Sequence, residues 1–127
     1  MSTILWYVAY GWIIATGLLH FIIDVVSQYV RGVRVPSTET TFYYGMNTAF
    51  SFGQMIVGIF GLILALKAPQ LLGQWPAVIL TLVAVVGWLA ISFIFLPYKE
   101  PKFISAISVL LVLSAAAVSS FQVFTKL

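Results

Sequence analysis

The sequence predicts an all-α fold, an integral membrane four-helix bundle, and three observations predict it. Apolar residues make up 62% of the 127 and charged residues 7%, where soluble domains carry roughly half and a quarter. The apolar residues gather into four runs, about Ile4 to Val26, Phe42 to Leu66, Pro76 to Leu96 and Phe103 to Phe124, each near the roughly 20 residues that cross the hydrocarbon as a helix. Three short segments rich in charge and proline join them. A water-soluble core of this size could not absorb so much apolar surface. In lipid the bilayer solvates the outward faces and only the interior needs protein partners. Residues 1–127 are therefore read as one domain of four spans.

Each boundary has a local cause. No Lys or Arg precedes the first run and no small-x-small cleavage site follows a short apolar core, so the run is expected to stay in the mature protein and not act as a signal peptide. It ends at the segment Arg31 to Arg34 and at Pro36; the second run ends at Lys67-Ala68-Pro69. Pro76 suits the start of the third, because a first-turn N–H has no intrahelical acceptor to lose. Leu96-Pro97-Tyr98-Lys99-Glu100-Pro101-Lys102 reads as a polar turn broken by two prolines. Trp6, Trp12 and Trp75 are expected to be interfacial anchors. Arg31, Arg34, Lys99 and Lys102 fall in loops one and three, with Lys67 and Lys126 on the opposite side. The positive-inside rule then places loops one and three in the cytoplasm and both termini outside.

Composition removes several function classes. The basic residues form no stripe or patch, so nucleic acid is not a partner. Without cysteine there is no disulfide framework and no sulfur-ligated metal. A single histidine cannot make a bis-His haem site, and no group of His, Cys and carboxylates offers a catalytic zinc. The glycines at 45, 53, 58 and 61 belong to a helix and cradle no phosphate, while Ser51 between Phe50 and Phe52 is no nucleophile elbow. The residues thus call for neither metal nor cofactor.

What remains is a polar layer at one depth. With the first helix centred near residue 16, His20 lies roughly 6 Å and Asp24 roughly 12 Å toward the loop-one side, at a rise of about 1.5 Å per residue. In the second helix, centred near Gln54, Ser51 and Asn47 fall roughly 5 and 10 Å in the same direction. Ser92, Ser105 and Ser108 join that half; the other half holds Ser114, Ser119, Ser120 and Gln122. Thr16, His20, Asp24 and Ser27 follow one helical stripe, and Asn47, Ser51 and Gln54 follow another. Beside the second runs Gly45, Ala49 and Gly53, a small-residue series that lets another helix approach closely.

His20 and Asp24 are the candidate catalytic residues. Two ionisable groups one turn apart within a span cost several kcal/mol unless paired or wet, which makes them a functional site by default. The carboxylate orients the imidazole and supports its charged form, so the pair can give or take a proton. Asn47, with Ser51 or Gln54, would hold a substrate oxygen; Tyr43 or Tyr44 would donate a second hydrogen bond or stabilise a cation. The site would be reached from the lipid bilayer, and its ligand would be a lipophilic small molecule such as an isoprenoid, sterol, quinone or acyl lipid. Isomerisation, cyclisation or epoxide opening are the chemistries that fit. Other readings stand beside this one. Asp24 could pair with Arg31 or Arg34 as a structural anchor, the serines and Thr16 could serve only to bond across helices, and the aromatics Phe42, Tyr43, Tyr44, Phe50, Phe52, Trp88, Phe93 and Phe95 could be lipid contacts and packing. The protein could then be a non-enzymatic module that assembles as a homo-oligomer or with a larger membrane partner, or an oligomeric proton or solute conductor.

Gly17-Leu18-Leu19-His20-Phe21-Ile22-Ile23-Asp24, Asn47-Thr48-Ala49-Phe50-Ser51-Phe52-Gly53 and Gly58-Ile59-Phe60-Gly61-Leu62 resemble small four-helix bacterial membrane proteins of the DoxX-like type. The resemblance covers mainly the first two helices and implies a four-helix bundle in a bacterial cytoplasmic membrane; it transfers no reaction. A histidine and a carboxylate in a lipid-facing pocket are also similar in kind, though not in spacing, to the emopamil-binding sterol isomerase family.

Overall fold

The computed structural model describes residues 2–124, with side chains described for residues 2–121. Lys126 lies outside the described residues, and the side chain of Gln122 lies outside the described side chains. The described residues form α1 (Ser2–Val30), α2 (Thr38–Lys67), α3 (Trp75–Phe95) and α4 (Lys99–Phe124), with one extra helical turn, Pro69–Leu72, between α2 and α3. All four helices are long and apolar enough to cross a membrane. Leu18, Phe52, Phe60, Leu80, Phe93 and Leu110 stand exposed on their outer faces, a surface that lipid solvates and water would not. The chain is a multi-pass integral membrane protein.

The helices reach further than the apolar runs at the loop-one and loop-three ends, and capping explains why. Gly32 takes the left-handed conformation (φ 59°), which lets the N–H groups of Gly32 and Val33 fold back onto the carbonyls of Tyr29 and Gln28. That is the glycine-terminated helix end. After Pro36, the Ser37 side chain accepts from the Thr40 N–H at 3.1 Å and opens α2, with Glu39 in the first turn where the helix dipole favours an anion. Pro101, expected in the turn, belongs to the first turn of α4, where its missing N–H has no intrahelical partner to lose. Pro97 alone interrupts the chain between α3 and α4.

In space the helices follow the order α2, α1, α4, α3: α1 packs along α2 and α4, and α4 along α3, while α2 and α3 have no comparable seam. The tightest seam joins α1 to α2 and is made by glycine. A Cβ on Gly58 would sit 2.6 Å from Ile14, one on Gly17 would sit 2.9 Å from Gln54, and one on Gly61 would overlap the Tyr10 ring. The expected small-residue series, Gly45, Ala49 and Gly53, makes no such contact. A Cβ at Gly45 or Gly53 would meet nothing within 4 Å: Ala49 and Gly53 face the gap between α2 and α3, and Gly45 is exposed.

The core lies toward the chain termini: Trp6, Ala9, Tyr10 and Ile13 of α1 pack with Ala65, Leu72, Val85, Val112, Ala115 and Ala116. Trp6, expected at an interface, is 2% exposed and donates from Nε1 to Ser119 Oγ at 3.0 Å. It stacks on Tyr10, whose hydroxyl meets Thr81 Oγ1 at 2.9 Å and so ties α1 to α3. An indole that finds a polar partner inside the bundle need not seek the headgroups. Trp12 is half-buried, with Nε1 3.4 Å from the Ile104 carbonyl; Trp75, at the start of α3, is exposed as an anchor would be.

Candidate functional site

The winding of α1 changes where its polar stripe reaches His20. Phe21–Ser27 is π-helical, a wide turn with i→i+5 bonding that adds a residue and is frequent at functional sites. The added residue moves the next member of the stripe from Ser27, the expected one, to Gln28. Asp24 is thereby placed between His20 and Gln28: His20 Nδ1 lies 2.8 Å from Asp24 Oδ2, and Gln28 Nε2 donates to Asp24 Oδ1 at 3.5 Å.

From α2, Asn47 closes on the other ring nitrogen. Its Oδ1 is 3.0 Å from His20 Nε2, and its Nδ2 donates to the Tyr43 carbonyl at 2.8 Å. Gln28 Nε2 also donates to the Tyr43 hydroxyl at 3.3 Å. Five residues thus form a closed loop of hydrogen bonds: His20, Asp24, Gln28, Tyr43 and Asn47. Arg34 docks on its outside, its guanidinium 3.4 Å from the Tyr43 ring centre and its Nε donating to Gln28 Oε1 at 3.2 Å. Phe50 meets the imidazole edge to face at 5.3 Å. The side chains of His20 and Asp24 are 12% and 24% exposed, so the pair is neither sealed nor washed by solvent.

Two cavities meet at His20. One, of about 390 Å³, lies among α1, α2 and the start of α4; His20, Asp24, Gln28, Gln54, Tyr98 and Glu100 are among its lining residues. The other, of about 740 Å³, occupies the gap between α2 and α3. It is walled by Phe42, Met46, Ala49, Trp88, Ile91 and Phe95, with His20, Asn47, Arg34 and Glu39 at its polar end. His20, Phe50 and Tyr98 line both.

The residues expected at the site therefore separate. His20, Asp24 and Asn47 come together, but Asn47 spends both ends of its carboxamide on the protein and so positions the imidazole. Tyr43 joins through its hydroxyl and its carbonyl. Tyr44 does not: it packs edge to face against Tyr29 and Tyr43 and lines neither cavity. Ser51 is fully buried in the α1–α2 seam, reaches neither cavity, and its Oγ has no hydrogen-bond partner. Gln54 lines the smaller cavity at 4% exposure, and its Oε1 is likewise unpartnered. Asp24 makes no pair with Arg31 or Arg34; Arg31 donates to the Ser27 carbonyl instead. Ser92 and Ser105 bond to each other at 3.2 Å, and Ser108 and Ser114 bond back to carbonyls of their own helix, as cross-helix or local structural polar groups do.

Gln28 and Arg34 are the members that sequence reasoning passed over as site residues. Gln28 was legible only through the π turn, which no apolar periodicity announces. Phe42, Phe50, Trp88 and Phe95 line the lateral cavity, while Phe52 and Phe93 point outward and are exposed. No protein-family model, no curated protein and no solved structure matches the chain.

Proposed function

We propose that the protein binds a small lipophilic molecule, admitted from the bilayer between α2 and α3, and transforms it by proton transfer at His20 with Asp24 as its partner. The observation that carries this reading is the place of one imidazole: it stands where two cavities meet, one nitrogen toward a carboxylate and the other toward a carboxamide. A largely apolar chamber with a few convergent polar groups is the usual form of a small-molecule site. An ionisable pair inside a span supports the same reading. Walls of Phe42, Met46, Trp88 and Ile91 suit an isoprenoid, sterol, quinone or acyl lipid. A His and carboxylate pair suits isomerisation, cyclisation or epoxide opening. Basic residues on loops one and three, Arg31, Arg34, Lys99 and Lys102, against Lys67 and Lys126 on the other side by sequence, support a cytoplasmic placement of those loops. The DoxX-like segments support a bacterial cytoplasmic membrane as the setting.

The test is turnover of lipids offered to purified protein in proteoliposomes, followed by mass spectrometry, with His20→Gln and Asp24→Asn beside the wild type. Both variants are expected to accumulate and elute normally while conversion falls about 10²- to 10⁴-fold, the range of a lost general acid or base. Lost accumulation or lost self-association, with no conversion by the wild type, would move the assignment to an assembly role; a proton leak abolished by the same variants would move it to conduction.

A further inference from the structure

We infer that the gap between α2 and α3 is the seat of a glycerophospholipid with a zwitterionic head: its phosphate on Arg34, its amine on Glu39, and one acyl chain laid down the gap past His20. This rests on the reading above that a lipophile enters between α2 and α3, and narrows its class to a phospholipid.

The order of groups along the gap carries the argument. The lateral cavity is lined on α2 between residues 42 and 53 and on α3 between residues 88 and 95. One turn further, a cavity of about 500 Å³ lies between the same two helices, lined by residues 56–64 of α2 and 76–84 of α3. Together they follow α2 for roughly 33 Å at about 1.5 Å per residue, comparable with the roughly 30 Å of the hydrocarbon. The charged pair Arg34 and Glu39 stands at the loop-one mouth. Next come the hydrogen-bonding groups of His20 and Asn47, and beyond Phe50 the walls are apolar. In the further cavity the hydroxyls of Tyr10 and Thr81 are engaged with each other at 2.9 Å. Charged head, then glycerol and ester oxygens, then hydrocarbon is the order of groups in a glycerophospholipid, and the gap presents their complements in that order. The first cavity alone follows α2 for roughly 17 Å, about half the hydrocarbon, which is the depth of one leaflet and of one acyl chain. The atoms offered to His20 are then those of the glycerol and ester region.

The mouth answers both charges of such a head. Arg34 makes no ion pair with a described residue. Its guanidinium lies over the Tyr43 ring and its Nε donates to Gln28 Oε1, which fixes the side chain by its face and inner edge. The outer edge is left for the forked bonding that a guanidinium makes to phosphate oxygens. Glu39 is exposed in the first turn of α2 and has no ion pair with a described residue either. A purely anionic head would meet its repulsion, whereas a head with an ammonium beside the phosphate is complementary to both residues. Basic pockets between helices on the cytoplasmic side are a recurrent form of lipid head-group site.

Native mass spectrometry of the delipidated protein reads the seat directly. Phosphatidylethanolamine, phosphatidylglycerol and diacylglycerol of identical chains serve as probes. One phosphatidylethanolamine per chain is expected, held about tenfold more tightly than phosphatidylglycerol and more tightly still than diacylglycerol, since a charge-assisted contact is worth about a factor of ten. Arg34→Gln should weaken both phospholipids about tenfold and leave diacylglycerol unchanged. Glu39→Gln, at an exposed position, should abolish the preference for the amine; it decides alone if Arg34→Gln does not fold. Gly53→Phe, whose Cβ enters open space, should weaken all three lipids while the thermal midpoint holds. Equal retention of the three lipids by the wild type, or a preference for the amine that survives Glu39→Gln, would mean annular lipid only and overturns the seat. Lost self-association in Gly53→Phe with lipid retention unchanged would put a second copy's helix in the gap and overturns it too. No arm needs turnover. Selective retention without conversion strikes the proton-transfer reading and leaves the seat standing, and conversion of a headless lipophile without head selectivity does the reverse.

Discussion

The two halves of this bundle spend their residues differently. Toward the termini, Trp6, Tyr10 and Ile13 pack against α2, α3 and α4, and the buried polar side chains among the described residues there have partners: Trp6 with Ser119, Tyr10 with Thr81, Tyr7 with the Ala65 carbonyl. Toward loops one and three, α1 unwinds into a π turn. Two cavities meet at His20, and Ser51 Oγ and Gln54 Oε1 are left without partners; the gap between α2 and α3 also continues into the terminal half, where Tyr10, Gly61 and Thr81 line a cavity of about 500 Å³. Membrane helices gain nothing from hiding apolar surface from one another, so close packing and satisfied polar contacts must hold them together. The terminal half supplies both. The loop-side half can then hold an ion pair, a widened helical turn and unsatisfied groups without losing the fold, as sites that bind and react generally require.

The sharpest way to break the contrast is through glycine. Gly61→Ala places a Cβ inside the Tyr10 ring, and moving that ring would break its stacking on Trp6 and its hydrogen bond to Thr81. A loss of about 3 kcal/mol is expected, at the upper end of overpacking, seen as a large drop in the thermal midpoint of the detergent-solubilised protein. Gly53→Ala, eight residues away on the same helix, adds its methyl to open space and should stabilise by about 0.5–1 kcal/mol, the gain in helix propensity. Equal effects at the two positions would mean that the gap between α2 and α3 closes in the membrane.

That pair of glycines also shows what the sequence could and could not disclose. Both lie in one apolar run with small residues four apart, so spacing favoured Gly45, Ala49 and Gly53 as a packing face; the face in use on α2 continues the Asn47, Ser51 and Gln54 stripe through Gly58, Gly61 and Ala65, and meets Gly17 of α1. The four spans were legible because bilayer thickness and backbone satisfaction leave few alternatives. His20, Asp24 and Asn47 were legible because polar groups in oil have few reasons to be there and share one depth. Gln28, Arg34 and the exclusion of Tyr44 were not legible. They depend on one added residue in a π turn and on a glycine-terminated helix end that folds loop one back over Tyr43. Burial alone could not separate Ser51 from Gln54 either: both are buried, and only the second reaches a cavity.

Gln54 gives a second, smaller test, opposite in sign. Its carboxamide oxygen is buried without a partner, and such a group costs about 1–3 kcal/mol where water does not reach it. Gln54→Leu keeps the volume and removes the demand, so the ligand-free protein should gain about 1 kcal/mol in stability, while retention of lipophilic ligands during purification weakens. Stabilisation without any loss of retention would make Gln54 an imperfection of the seam and not a wall of the site.

The smallest effect belongs to the terminal half. Ser119 Oγ accepts from Trp6 and donates to the Ala115 carbonyl, so Ser119→Ala strands the indole N–H in a dry seam. Interhelical hydrogen bonds in membranes average about 0.6 kcal/mol, and a stranded donor raises this toward about 1 kcal/mol. Adding Trp6→Phe removes the stranded donor, and in a double-mutant cycle the second change should cost less in the Ser119→Ala background than in the wild type, the sign of a direct contact. If Ser119→Ala costs nothing, the terminal half tolerates an orphaned polar group as readily as the half that holds Gln54, and satisfaction of polar atoms no longer distinguishes the two.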